Sequence, residues 1–201
     1  MEHRFDEHLA DNRYYDRTFG VDAVKILPGE YYVTDDATVL VTVLGSCVAA
    51  CIRDSDTGLG GMNHFMLPDE GNREVISASA RYGNYAMEVL INHLLKRGAR
   101  RSRLEAKVFG GGAVMASMTA CRVGERNAEF VIDYLKTERI PVVAKDLLDA
   151  YPRKVYFFSR TGKVLVKKLH RTHNDTLFIR EAEYRNRLKS SKMEGDVELF
   201  T

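Results

Sequence analysis

Two short apolar segments carry the residue types that nucleophilic catalysis requires. Cys47 lies in the run LGSCVAAC at residues 44–51, and His64 follows in the run GMNHFMLP at residues 61–68. A thiol becomes a strong nucleophile when a neighbouring imidazole takes its proton. The pair therefore predicts covalent cysteine chemistry, although a cysteine in an apolar strand more often serves only as a small core residue.

The first segment predicts two strands that meet at a tight bend around Cys47. Apolar residues 37–44 lead into Gly45 and Ser46, and the apolar pattern resumes after the bend. Glycine lets the main chain approach a substrate closely, because it has no Cβ. Backbone N–H groups at Ser46 and Cys47, or near Gly111, are candidate donors to an oxyanion. The sequence leaves the choice between these two groups of donors open.

The other cysteines predict core residues rather than catalysts. Cys51 stands four residues after Cys47, which is not the C-x-x-C spacing of redox proteins. On a strand four residues span about 13 Å, too far for a disulfide. Cys121 has no histidine near it in the sequence. Three cysteines without a paired framework are typical of the reducing cytoplasm.

The other histidines and the glycine run do not predict a cofactor site. His93 falls on a predicted helix, where a surface or half-buried position is the simplest interpretation. His170 and His173 have the i, i+3 spacing of helical metal ligands, but no third ligand accompanies them. Glycines 110–112 follow a strand without the G-K-[ST] of a phosphate loop. The sequence therefore predicts neither a metal nor an organic cofactor.

Composition and charge indicate one globular domain. The 201 residues are 45% hydrophobic and 29% charged, with a net charge of +2. Apolar runs fall short of the roughly 20 residues of a membrane span, and the N-terminus lacks the apolar core of a signal peptide. The basic stretch at residues 96–103 fits a solvated helix end better than a nucleic-acid surface.

Periodicity predicts an α+β protein in which strands outnumber helices. We expect strands on either side of a turn within residues 24–34, around both chemical segments, and at residues 104–109, 140–144, 155–158 and 164–166. Helices are expected from Ser77 or Ser79 to Lys96, and after residues 124–127 through Lys136. We divide the chain into a flexible N-terminal arm at 1–20, a domain at 21–169 and a polar extension at 170–201 with at most a marginal helix.

Further motifs resemble those of a known family. LEAKVFGGGA at residues 104–113, VGERN at 123–127 and the hairpin over 153–164 accompany the two segments above, in one order over roughly residues 24–169. Together these motifs resemble the chemotaxis receptor glutamine deamidases, the CheD family. The resemblance implies a layered α/β/β/α sandwich with mixed sheets, shared with some bacterial toxin deamidases.

The resemblance also implies an activity. A glutamine side chain on the cytoplasmic part of a methyl-accepting chemotaxis receptor would be hydrolysed to glutamate, with release of ammonia. Cys47 would attack the amide and His64 would act as acid and base. Some family members partner a phosphatase of the response regulator, so such a partner is implied as well. The implied location is the cytoplasm, with no membrane insertion and no nucleic acid.

A threonine upstream of the cysteine orients the imidazole in the family. It commonly stands six residues before the cysteine, where this chain has Val41, whereas Thr42 stands five before it. We assign Thr42, and Thr38 is its rival on the same strand face. A shift of one residue along a regular strand places the side chain on the opposite face of the sheet. A bulge near Gly45 would turn Thr42 back to the face that the family's threonine occupies.

Two other functions stay open at this point. A protein of this fold could act by docking to a chemotaxis phosphatase or adaptor, with catalysis weak or lost. A thiol hydrolase acting on a small amide is the other alternative. The intact pair of Cys47 and His64 favours an enzyme, since a docking module has no chemical need for either residue.

Overall fold

The computed structural model describes residues 8–68, 73–114, 118–169 and 175–190. Within these ranges the chain forms ten strands and three helices. The strands are β1 (Asn12–Asp16), β2 (Val21–Lys25), β3 (Tyr31–Thr34), β4 (Val39–Leu44), β5 (Val48–Asp54), β6 (Gly60–Asn63), β7 (Leu104–Gly110), β8 (Val142–Leu147), β9 (Arg153–Phe158) and β10 (Lys163–Lys168). The helices are α1 (Arg73–Lys96), α2 (Met118–Thr137) and α3 (Asp175–Ser190).

The strands form two mixed sheets of five strands each. The first sheet has the order β3-β6-β5-β7-β8 and the second the order β1-β2-β4-β9-β10. Each contains one parallel pair, β7 with β8 and β2 with β4, among antiparallel neighbours. The predicted α+β class with mixed sheets is confirmed.

Three hydrophobic clusters define the layers. In the first, residues of α1 and α2 such as Leu90 and Val131 pack against Val48 of the first sheet. The second lies between the sheets, where Cys47 and Met62 meet Leu40, Leu44 and Phe157. The third covers the outer face of the second sheet, and its described members all come from strands: Ala23, Val39 and Val41, with Tyr14, Val21, Tyr156 and Phe158. The two sheets therefore stack with α1 and α2 on one outer side.

The bend after β4 carries the chain from one sheet to the other. β4 belongs to the second sheet and β5 to the first, so Gly45, Ser46 and Cys47 cross between the layers. Main-chain bonds from the glycine run hold the crossing: Gly111 N–H donates to the Cys47 carbonyl at 2.8 Å, and Gly112 N–H donates to the Gly45 carbonyl at 2.8 Å. The predicted pair of strands meeting at Cys47 is confirmed, with the strands in different sheets.

The helix boundaries differ in part from the prediction. α1 ends at Lys96 as expected, and Gly98 follows with φ +101°. α2 begins at Met118, so the prediction that it starts after residues 124–127 is wrong. Gly124 lies inside the helix, and the position requires glycine because a Cβ there would stand 2.5 Å from the Gly111 carbonyl oxygen. This glycine serves close packing rather than helix termination.

Both outer segments contain regular structure. Residues 12–16, within the predicted flexible arm, form β1 and pair with β2 along their whole length. α3 lies within the predicted polar extension, where the sequence indicates at most a marginal helix. Its local periodicity is weak, and side-chain contacts of Glu181 and Tyr184 with the domain hold it in place. Tertiary contacts of this kind supply most of the stability of a helix in a protein.

Candidate active site

His64 is held by Thr42 through its inner ring nitrogen. Thr42 Oγ1 lies 2.8 Å from His64 Nδ1 and donates its proton to the Ile26 carbonyl at 2.8 Å. A hydroxyl has one proton, so it accepts the hydrogen bond from Nδ1–H. The imidazole therefore carries its proton on Nδ1 and presents an unprotonated Nε2.

The outer nitrogen of His64 is free in a buried setting. His64 is only 2% exposed, and Nε2 has no hydrogen-bond partner among the described residues. The backbone on either side of the ring is anchored: His64 N–H donates to the Glu30 carbonyl at 2.9 Å, and Gly29 N–H donates to the His64 carbonyl at 2.7 Å. A buried basic nitrogen without a partner is available to take a proton.

Cys47 and His64 lie on the same face of neighbouring segments. Val48 and Phe65 form an antiparallel bridge with both hydrogen bonds at 3.0 Å. The residues that precede them, Cys47 and His64, therefore sit diagonally on the opposite face from the bridge pair, at about 7–8 Å between backbones. A thiol and an imidazole can meet across this diagonal.

Asn127 of α2 ties these two segments together. Its Nδ2 donates to the Ser46 carbonyl at 2.9 Å, and its Oδ1 accepts from the Leu67 N–H at 2.8 Å. The side chain is completely buried. One amide thus spans the bend next to Cys47 and the chain just after His64. Asn127 lies in the VGERN motif at residues 123–127, but its part in the site was not predicted from the sequence.

Glu181 of α3 places a carboxylate in the bend itself. It accepts hydrogen bonds from the N–H groups of Gly45 at 2.9 Å, Ser46 at 3.1 Å and Cys47 at 3.3 Å, and from Ser46 Oγ at 2.8 Å. Glu181 is 2% exposed. Three consecutive N–H groups that converge on one anion form an anion-binding concavity. No signal in the sequence pointed to Glu181, which lies 136 residues from Gly45 in the chain.

The glycine run plays a different part from the bend. The N–H groups of Gly111 and Gly112 bind main-chain carbonyls, and that of Ala113 binds the Asp149 carbonyl at 2.7 Å. Their donors are therefore occupied within the fold. Of the two predicted groups of oxyanion donors, the one at Ser46 and Cys47 faces an anion, whereas Gly111 shapes the main chain around it.

The charges of the site follow from burial. Burial raises the pKa of the Cys47 thiol well above its usual range, and the Glu181 carboxylate raises it further. Burial lowers the pKa of His64 to about 4, while Glu181 acts in the opposite direction. With α3 seated, both shifts favour a neutral thiol and a neutral imidazole.

The remaining residues considered from the sequence lie elsewhere or have other partners. Thr38 precedes β4, and its N–H donates to Asp36 at 2.7 Å. Cys51 is buried in the layer between the sheets, and burial raises its pKa. His93 lies on α1 with Nδ1 3.2 Å from the hydroxyl of Tyr31. The side chain of Cys121, together with His170 and His173, lies outside the described residues.

Two further properties concern the described ranges as a whole. Within them, no group of three or more His, Cys, Asp or Glu side chains is arranged to hold a metal ion. No helix in the same ranges is both long and apolar enough to cross a membrane.

Fold and site together define an α+β protein with a buried cysteine, an oriented histidine and an anion-binding bend. A model of the CheD family, described as CheD chemotactic sensory transduction, matches residues 66–168. Relatives match over nearly the whole chain, including its C-terminal segment. The chain belongs to the CheD family.

Three relatives illustrate the similarity. A protein of Dechloromonas aromatica (strain RCB), named probable chemoreceptor glutamine deamidase CheD 1, is 72% identical over 100% of both chains. A probable chemoreceptor glutamine deamidase CheD of Herminiimonas arsenicoxydans is 64% identical over 97% of both. A relative in Shewanella oneidensis, named as the first is, is 60% identical over 94% of this chain and 93% of its own.

Proposed function

We propose that this protein is a glutamine deamidase of chemotaxis receptors. Its reaction hydrolyses the side-chain amide of a receptor glutamine to a carboxylate and releases ammonia. The names of the full-length relatives support the substrate class. A receptor's cytoplasmic part is the proposed substrate, so the activity belongs in the cytoplasm.

One observation carries the proposal: the hydrogen bond of 2.8 Å between Thr42 and His64 Nδ1 leaves Nε2 unprotonated on the face that Cys47 shares. A structural histidine in a core normally satisfies both ring nitrogens. Here the second nitrogen is buried and free, as a general base requires.

Each described group has a role in the proposed reaction. Nε2 of His64 takes the thiol proton while Cys47 Sγ bonds to the amide carbon, and the carbonyl oxygen becomes an oxyanion. The N–H groups of Gly45, Ser46 and Cys47 stabilise that oxyanion. His64 then gives its proton to the nitrogen, the C–N bond breaks and ammonia leaves. Water hydrolyses the thioester with His64 as base.

The deciding experiment is mass analysis of a receptor cytoplasmic fragment incubated with the protein. We expect the fragment to gain the mass of amide-to-acid conversion at defined glutamines, and ammonia to appear in equal amount. Cys47→Ala should abolish both signals and retain the fold, because one small side chain at a bend contributes little to the core. Cys51→Ala is the matched control, since its thiol is buried between the same sheets, and it should keep most activity.

The outcomes separate the proposal from its rivals. Conversion of the fragment at the parental rate by Cys47→Ala contradicts the assigned nucleophile. Release of ammonia from free glutamine, but not from the fragment, favours a hydrolase of small amides. If neither the parent protein nor any variant converts the fragment or free glutamine, a docking function is favoured.

We also propose, on the family resemblance alone, that a phosphatase of the response regulator partners this protein. Copurification of the two proteins, together with a changed deamidation rate on mixing, is the expected result. An unchanged rate and no complex at micromolar concentrations would remove this partner.

A further inference from the structure

The chain fills its own candidate oxyanion site. The carboxylate of Glu181 takes all three N–H groups of the bend and the hydroxyl of Ser46, at 2.8 to 3.3 Å. These are the donors that the proposed reaction assigns to the oxygen of a substrate side chain. The group that occupies them is a glutamate, which is the residue the reaction produces.

The bend is shaped to admit this carboxylate. A Cβ on Gly45 would stand 2.9 Å from each carboxylate oxygen of Glu181, so only glycine leaves the room. A charged group that is 2% exposed is costly unless its oxygens are fully bonded, and here four donors satisfy them. The contact is therefore a formed binding site rather than a surface encounter.

The rest of α3 docks beside the bend along one face of the helix. Glu181, Tyr184 and Leu188 follow a spacing of three and four residues, which brings them to one side of a helix. Tyr184 is buried and packs so closely on Gly29 that a Cβ there would stand 2.9 Å from its ring. Leu188 packs against the cluster between the sheets. Ile179, on another side of the helix, is 56% exposed.

We propose that α3 is a built-in product analogue that closes the substrate site, and that the partner which displaces it is a helix presenting a glutamine where Glu181 now lies. This inference rests on the proposed function. Glu181 has the length and the carboxylate oxygens of the product glutamate, and it occupies the position that the proposed reaction gives to the substrate amide. It reaches that position from the helix α3. Tyr184 also forms a hydrogen bond with Tyr82, which lines the same groove as Gly29. The groove over the bend, Gly29 and Tyr82 therefore accepts a helical substrate.

Seated α3 also suppresses the nucleophile. Cys47 has no exposed surface, and the nearby carboxylate adds to burial in keeping its thiol protonated. Removal of Glu181 takes away this carboxylate and therefore lowers the pKa of the thiol. A lower pKa increases the reactivity of the thiol.

The first test compares Glu181→Ala with Glu183→Ala, an exposed position on the same helix. Iodoacetamide labelling is measured on the peptide that carries Cys47, and deamidation is measured on a receptor fragment. Glu181→Ala should raise both rates by about tenfold or more, while Glu183→Ala stays at the parental rates. Circular dichroism and thermal unfolding establish that each variant is folded.

The second test makes the chain its own substrate. Glu181→Gln places an amide on the same donors, and the proposed chemistry then acts within the molecule. Cys47 Sγ bonds to the amide carbon, the C–N bond breaks with loss of ammonia, and water hydrolyses the thioester, leaving glutamate. Peptide mass analysis should find the glutamate mass at position 181, with oxygen from labelled water. The double variant Cys47→Ala, Glu181→Gln should retain the amide.

The outcomes distinguish this inference from the proposed function. If Glu181→Ala labels and deamidates at the parental rates while the parent is active, α3 is not an inhibitor and the deamidase proposal stands. If Glu181→Gln keeps its amide at position 181 but still converts the receptor fragment, then residue 181 does not occupy the position of the substrate glutamine. If no protein deamidates anything, the proposed function fails, and unchanged labelling of Cys47 then overturns the closure by α3 as well.

Discussion

Thr42 and His64 are linked across the two sheets by a single hydroxyl. Thr42 lies on β4 of the second sheet, flanked by Leu40 and Leu44 on the face toward the first. Its oxygen stands 2.8 Å from Nδ1 of His64. β4 pairs with β9 without a register shift from Val39 to Leu44, so no bulge is needed to direct Thr42 inward. Val41 points to the opposite, outer cluster.

Thr42→Val should lower turnover and also lower stability, because the hydroxyl makes two buried hydrogen bonds. The substitution keeps the β-branched shape and removes the group that selects the imidazole tautomer. The Ile26 carbonyl and His64 Nδ1–H each lose a buried partner, which costs about 1–3 kcal/mol per group. A misoriented base can cost about 100-fold in rate. Deamidation kinetics on a receptor fragment and urea unfolding measure the two effects.

Thr38→Val is the matched control, because Thr38 precedes β4 and its N–H binds Asp36. It should react at the parental rate. Parental turnover in Thr42→Val would mean that the imidazole does not depend on this hydroxyl, and the site would then consist of Cys47 and His64 alone.

Asn127→Ala should affect both stability and activity. Without the amide, the Leu67 N–H and the Ser46 carbonyl lose partners at 2.8 and 2.9 Å in a buried setting. Each buried group left unpaired costs about 1–3 kcal/mol, so the free energy of unfolding should fall by about 2–6 kcal/mol. Turnover should fall too, since this amide joins the bend of Cys47 to the chain after His64.

Urea unfolding and steady-state kinetics on Asn127→Ala test this connection. Asn12→Ala, at an exposed position on β1, is the control and should resemble the parent in both. A stable Asn127→Ala protein with parental turnover would show that the bend holds its shape without this amide.

Gly45→Ala should strongly reduce turnover even though it expels Glu181. The added methyl would meet the carboxylate oxygens at 2.9 Å, and a substrate oxygen on the same donors would meet it as well. The methyl would hold that oxygen away from the N–H groups, and the loss of one oxyanion hydrogen bond lowers kcat by about 100-fold or more. Both substitutions remove the carboxylate from the bend, but turnover should fall in Gly45→Ala, where the methyl blocks the site, and rise in Glu181→Ala, where the site is open.

Gly98→Ala provides a control for the change from glycine to alanine. Gly98 has φ +101°, and a Cβ there meets nothing within 4 Å. Backbone strain should lower its stability modestly and leave turnover unchanged. Equal turnover in Gly45→Ala and the parent would exclude the bend as the oxygen-binding site.

The buried neutral His64 predicts a specific acid sensitivity. Its pKa is lowered to about 4 in the fold, below the value of about 6.5 expected in the unfolded chain. The unfolded state therefore takes up a proton first as the pH falls. The stability that neutral His64 contributes is complete above about pH 6.5 and is lost progressively down to about pH 4, by about 3 kcal/mol.

Urea unfolding of the parent and of His64→Gln at pH 7.5 and 4.5 measures this loss. The variant should lose less stability over the interval, because the other titrating groups are common to both proteins. An equal loss in the two proteins would mean that the pKa of His64 is the same in the folded and unfolded states.

The sequence by itself determined the features that depend on neighbours along the chain. The strands around Cys47 and the end of α1 at Lys96 follow from apolar periodicity and from glycine at turns. The family follows from motifs in a common order. Cys47, His64 and Thr42 were selected from the sequence, and the distance between Thr42 and His64 is one that only the folded chain supplies.

Only the tertiary structure decided which residues meet across the layers. The passage of the chain between sheets at Gly45, and the turning of Thr42 inward, depend on pairing partners far away in sequence. Position 124 of α2 requires glycine because the Gly111 carbonyl, on another segment, leaves no room for a Cβ. The weakly amphipathic α3 is held by its contacts with the domain, and the place of Glu181 among three N–H groups 136 to 134 residues away leaves no local pattern in the chain. Contacts between residues so far apart in the sequence arise from tertiary packing, and the periodicity of a single segment does not predict them.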